Sequence, residues 1–75
     1  VEDEPQAADR LALLLTQALP QAEVVARLDT VKRSVAWLQS PAAADLIFMD
    51  IQLADGLSFE IFEHVAVKSP VIFTT

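Results

Sequence analysis

Between Ala7 and Leu19 the apolar positions Ala8, Leu11, Leu14, Leu15 and Ala18 follow an i, i+3, i+4, i+7 rhythm, which predicts an amphipathic helix. Pro5 suits its first turn, because a missing N–H costs nothing there, and Asp3 and Glu4 place negative charge at the positive end of its dipole. Pro20 stops it. Ala22 to Leu28, with Val24-Val25 at its centre, predicts a short strand. Asp29 and Thr30 are N-cap residue types, and Val31, Val35, Ala36 and Leu38 then mark a second helix that ends around Ser40-Pro41. Asp45-Leu46-Ile47-Phe48-Met49-Asp50 sets four bulky apolar residues between two aspartates, as expected of a central parallel strand buried on both faces. Asp55-Gly56 breaks the chain. Phe59, Ile61, Phe62, Val65 and Ala66 predict a third helix, Ser69-Pro70 ends it, and Val71 to Thr75 is the next strand. Val1 reads as the tail of an earlier strand.

Short apolar strands alternating with amphipathic helices call for β-α-β units with right-handed crossovers, hence an α/β fold: an open parallel sheet with helices on both faces. The 75 residues allow a single domain, spanning 1–75. The chain has no cysteine, which excludes a disulfide scaffold and agrees with a reducing, cytoplasmic setting. Its formal charge of −6 leaves no cationic cluster to displace counterions, so nucleic-acid binding by this segment is not expected. The apolar runs fall far short of the ~20 residues that cross a bilayer, and the opening Val1-Glu2-Asp3-Glu4 is no signal peptide; no membrane partner is expected. A start without methionine and an apolar finish at Val71-Ile72-Phe73 read as part of something longer.

In open parallel sheets, functional groups gather at the carboxyl ends of the strands. That rule collects Glu2 and Asp3 after the first predicted strand, Asp50 after the third, and Thr74-Thr75 after the fourth. Three carboxylates together repel one another at neutral pH unless a cation lies among them. Hard oxygen donors with room for water suit Mg²⁺. An aspartate beside such a cation can attack a phosphoryl group and form an acyl phosphate. A plainer reading stands beside this one: acids at strand ends often form turns or caps, Asp3 can simply favour the helix begun at Pro5, and Asp45 and Asp55 read as such residues. His64, late in the third helix, reads as a surface residue, Trp37 as packing, and Phe59 and Phe62 as packing of their helix onto the sheet. Arg10, Arg27, Lys32 and Arg33 form no continuous stripe.

Three segments carry a resemblance: Val1-Glu2-Asp3-Glu4-Pro5, Leu46-Ile47-Phe48-Met49-Asp50-Ile51-Gln52-Leu53 and Pro70-Val71-Ile72-Phe73-Thr74-Thr75. In order and spacing they resemble the receiver domain of two-component response regulators. The resemblance implies a flavodoxin-like fold, truncated here to the end of the first strand through the fourth, with the fifth strand and the last two helices missing. It implies Glu2 and Asp3 as the acidic pair holding Mg²⁺, and Asp50 as phosphoryl acceptor and third metal ligand. It further implies Gln52 as donor of a backbone carbonyl to the metal, and Thr75 as the switch hydroxyl.

The implied partner is a sensor histidine kinase; the resemblance also admits a homodimer of the parent protein. The phrasing of the second and third segments is similar to receivers joined to LytTR-type DNA-binding domains, implying transcription regulation through an effector domain outside this chain. The family's pattern is not met everywhere. Ala54 stands where proline is usual and Ser58 where glycine is usual. Lys32 and Lys68 are not at a strand's carboxyl end, where the family has a phosphate-contacting lysine. Such a module is not an enzyme. Two alternatives remain: a Mg²⁺-dependent phosphohydrolase with an aspartate nucleophile, against which Gln52 counts because a second acid is common there, and a receiver-like interaction module that is never phosphorylated.

Overall fold

The computed structural model of the chain describes residues 1–74. Among them run α1 (Pro5–Ala18), α2 (Val31–Gln39), β1 (Ile47–Met49), β2 (Gln52–Leu53), β3 (Gly56–Leu57), α3 (Phe59–His64) and β4 (Val71–Phe73). The result is a small mixed α/β fold with a two-stranded parallel sheet and a short antiparallel hairpin. β1 and β4 pair in parallel, Ile47 opposite Val71, Phe48 opposite Ile72 and Met49 opposite Phe73. The connection between them passes through α3, as a β-α-β unit requires. The ladder extends at both ends: the Ile47 amide donates to the Pro70 carbonyl and the Thr74 amide to the Met49 carbonyl, each at 2.9 Å.

On the other side of β1 lies Val1. Its amino group donates to the Phe48 carbonyl. Its carbonyl accepts from the Asp50 amide at 2.9 Å. Donating to one residue and accepting from the next but one is the hydrogen-bond pattern of a parallel bridge opposite Met49. The Glu2 amide in turn donates to the Leu28 carbonyl at 2.8 Å. Leu28, Val1-Glu2, β1 and β4 therefore lie side by side, and the chain's progression across them reverses at residues 1–2.

The strand expected over 22–28 does not form among the described residues. α1 begins at Pro5, and the bond from the Glu2 amide to the Leu28 carbonyl joins this stretch to residues 1–2. Val24 and Val25 remain exposed. The third helix is also shorter than its apolar pattern suggests, because Val65 turns extended (φ −148°, ψ 142°) and ends it after His64.

The expectation of burial on both faces of β1 is met on one face only. Ile47 and Met49 are buried with Val31 of α2, Leu53 of β2 and Ile61 of α3. Alternation along the strand turns Phe48 the other way. There it stays half-buried and lines an open cavity of about 480 Å³ with Ala8, Leu11, Ala12 and Leu15 of α1. Every α1 side chain keeps some exposure, and Leu14 is 54% exposed. Phe59 and Phe62 pack α3 onto the sheet as expected, meeting Phe73 of β4 edge to face at 5.5 and 6.5 Å between ring centroids. Both stay partly exposed, and Ile61 is the α3 residue buried in the core.

Two serines sit in this core. Ser34 donates its hydroxyl to the Thr30 carbonyl at 2.7 Å. The buried Ser58 hydroxyl has no partner among the described residues. A buried hydroxyl without a partner costs roughly 1–3 kcal/mol, so Ser58→Ala should stabilise the chain by about 1 kcal/mol in urea denaturation. In the same assay Ile61→Ala should cost about 2–5 kcal/mol through the cavity it leaves. Leu14→Ala should change stability by less than about 0.5 kcal/mol.

Candidate metal centre

Three acids meet at the carboxyl end of β1. Asp50 follows the last residue of that strand, and its amide is fixed on the Val1 carbonyl. The same bridge brings Glu2 and Asp3 alongside, before Pro5 turns the chain into α1. One carboxylate oxygen from each of Glu2, Asp3 and Asp50 lies within 4.8 Å of the others, and all three residues are half-buried. Oxygens bound to a single Mg²⁺ at about 2.1 Å stand about 3–4 Å apart. Small side-chain rotations therefore bring this set into range, and the all-oxygen donors match that ion.

Local bonds limit how freely these acids can turn away. A Glu2 carboxylate oxygen accepts the Glu4 amide at 3.2 Å. An Asp50 carboxylate oxygen accepts the Ile51 amide at 2.8 Å. Partial burial pushes the Glu2 carboxyl above its usual value, and Asp50 and Asp3 push it the same way, against the lowering effect of the Glu4 amide. Asp3 does not cap α1: Glu4 is its N-cap, without a side-chain cap bond, and the carboxylate that accepts the Glu4 amide belongs to Glu2.

Gln52 opens β2 opposite Leu57, with its side chain exposed. The loop after Asp50 is a tight strap. The Ser58 amide donates to the Ile51 carbonyl at 2.7 Å, closing its base. Leu53 anchors it in the core. Ala54 and Asp55 form the turn, and Gly56 takes φ +147°, a conformation that side chains rarely adopt. The Glu60 carboxylate, bound to the Leu57 amide at 2.9 Å, fills the space a Cβ would need there.

Thr75, expected as the switch hydroxyl, lies outside the described residues. Its neighbour Thr74 is exposed, with its amide bound to β1. Lys32 and Lys68 are exposed, on α2 and beyond α3. His64 ends α3, exposed.

Sequence reasoning missed one contact. Asp55 is a turn residue as read, but its carboxylate also reaches α2, accepting the Val31 amide at 2.8 Å and the Lys32 amide at 3.2 Å. Those bonds hold its carboxyl below the usual value, that from Val31 most. The stabilisation they give is present above the unfolded carboxyl value and is lost as pH falls through the folded one. The contact spans 24 residues, so no local pattern announces it.

Comparison of the chain with family models, curated proteins and solved structures gives no match.

A raised carboxyl in the folded state favours the protonated form, so Glu2 supports the fold at low pH and weakens it as pH rises through its folded value. Without metal, Glu2→Gln should therefore stabilise the chain at pH 7, by no more than about 1 kcal/mol given its contact with water. The gain should vanish below about pH 4. Thermal melts at the two pH values measure this.

Proposed function

We propose that the chain is the phosphoacceptor receiver module of a two-component response regulator, built as the early part of a flavodoxin-like sheet. The observation that carries the reading is the convergence of Glu2, Asp3 and Asp50 at the carboxyl end of a parallel strand. In this reading Glu2, Asp3, Asp50 and the Gln52 carbonyl hold Mg²⁺. When bound, that ion neutralises the acids and screens the negative charge of an incoming phosphoryl group.

Asp50 attacks through a carboxylate oxygen. An O–P bond forms to Asp50 as the P–N bond to the kinase histidine breaks, and the imidazole leaves with the electron pair of that bond. The Ile51 amide, bound to one Asp50 oxygen, holds the carboxylate in place and leaves the other oxygen to attack. Most of the work is positioning and charge compensation, as is usual in phosphoryl transfer. The added charge at Asp50 then biases a two-state element, with Thr75 as the switch hydroxyl. An output domain outside this chain regulates transcription in response, in the cytoplasm.

The test is incubation of the full-length protein with acetyl phosphate and Mg²⁺, read by intact mass. One phosphoryl group should add, and both Asp50→Asn and a chelator should abolish the addition. Labelling that survives Asp50→Asn moves the acceptor elsewhere. Rapid multiple turnover of a small phosphate ester turns the reading to a hydrolase.

A further inference from the structure

Three hydrogen bonds link three separate stretches of backbone into a closed circuit around the acids. The Asp50 amide donates to the Val1 carbonyl at 2.9 Å, and the Glu2 amide to the Leu28 carbonyl at 2.8 Å. The chain then runs from Leu28 into α2, where the Val31 amide donates to Asp55 at 2.8 Å. From Asp55 the strap leads back to Asp50. Residues 1–2, 28–31 and 50–55 thus form a ring, and Glu2 and Asp50 both belong to it. Two of its links are backbone to backbone. Asp55 supplies the one link made by a side chain.

We infer that Asp55 is a positioning residue for the carboxylate site: by closing the ring on α2 it holds the strap, and with it Asp50 and Gln52, in register with Glu2 and Asp3. The inference rests on the reading of those acids as a Mg²⁺ site. Its physical basis is that a divalent ion binds best where its ligands are already fixed, since each ligand still free to move must be ordered on binding. The strap has three attachments: its base at Ile51–Ser58, Leu53 in the core, and its tip on α2. Losing the third frees the turn at Ala54-Asp55 and leaves α2 joined to the strap by apolar packing alone. Binding and ring closure are then coupled in both directions, so Mg²⁺ must tighten the Asp55 contact as much as that contact tightens Mg²⁺.

Thr30 offers a control within the same helix end. Its hydroxyl accepts the Arg33 amide at 3.0 Å, capping α2 without contributing a side-chain link to the ring. A merely structural role for Asp55 predicts equal effects from losing either cap. The positioning role predicts a difference.

The experiment is calorimetric titration of the full chain with Mg²⁺ for wild type, Asp55→Ala, Asp55→Asn and Thr30→Ala, with amide exchange at Val31 and Lys32 followed by NMR. Asp55→Ala should weaken Mg²⁺ binding about tenfold, the scale of losing a group that orients metal ligands. Thr30→Ala should leave the affinity unchanged. Asp55→Asn keeps one acceptor oxygen and should fall between them, and it serves as the comparison if the alanine variant does not fold. Mg²⁺ should slow exchange at Val31 and Lys32 in wild type, and not in Asp50→Asn. Equal affinity in wild type and both Asp55 variants overturns the inference, as does a loss in Thr30→Ala matching that in the Asp55 variants. A wild-type chain that takes up no Mg²⁺ overturns the metal-site reading along with it.

Discussion

The candidate site depends on one backbone contact, the parallel bridge between Val1 and the end of β1. Val1 both donates to Phe48 and accepts from Asp50. That pair of bonds sets the register of the amino-terminal residues against the strand. Register decides which side chains reach the strand's end: a slip of one residue would turn Glu2 to the other face of the sheet. Pro5 then fixes where the chain leaves the sheet, so Glu2 and Asp3 have no freedom to drift along it. The proximity of the three carboxylates is thus a consequence of backbone pairing, not of attraction among side chains that repel one another.

That repulsion is opposed from outside the cluster. The Glu4 and Ile51 amides each give a carboxylate a short-range partner. Partial burial works the other way and raises the Glu2 carboxyl. The fold therefore holds a concentration of negative charge that its own groups only partly satisfy. An arrangement of this kind is an ordinary structural liability unless a cation relieves it. The Asp55 carboxylate shows the contrast: it faces two amides at the start of α2, and its carboxyl is lowered, not raised. Two acids on neighbouring segments are shifted in opposite directions by what each one faces.

Much of this was legible in the sequence because the signals were local. Pro5 and Pro20 bracket α1, Thr30 caps α2, and the apolar run between Asp45 and Asp50 contains β1. The meeting of Glu2, Asp3 and Asp50 followed from the rule that parallel strands present their carboxyl ends together. What failed was the reading of apolar content as strand or as burial without asking what stood opposite. Val24-Val25 has strand-forming residues but stays exposed and outside any strand. Phe48 has the hydropathy of a strand buried on both faces, but the face it occupies borders an open cavity. The bond from Asp55 to Val31 was invisible for a different reason: it joins a turn to the first residue of α2, 24 positions away in the chain, and aspartate before glycine already had a sufficient local explanation as a turn.

The two faces of β1 differ in how firmly they are held, and the site inherits that difference. On one side Met49 and Ile47 pack as buried side chains with residues of α2, α3 and the strap. On the other, α1 borders an open cavity with Phe48 only half-covered. Glu2 and Asp3 begin the segment that leads to the loose side, while Asp50 and the strap belong to the tight one. Stiffness at Glu2 must therefore arrive through the sheet, by way of Val1 and Leu28, because α1 has little packing to supply it. This asymmetry is why hydrogen bonds across residues 1–2 matter more to the geometry of the acids than the longest helix in the chain.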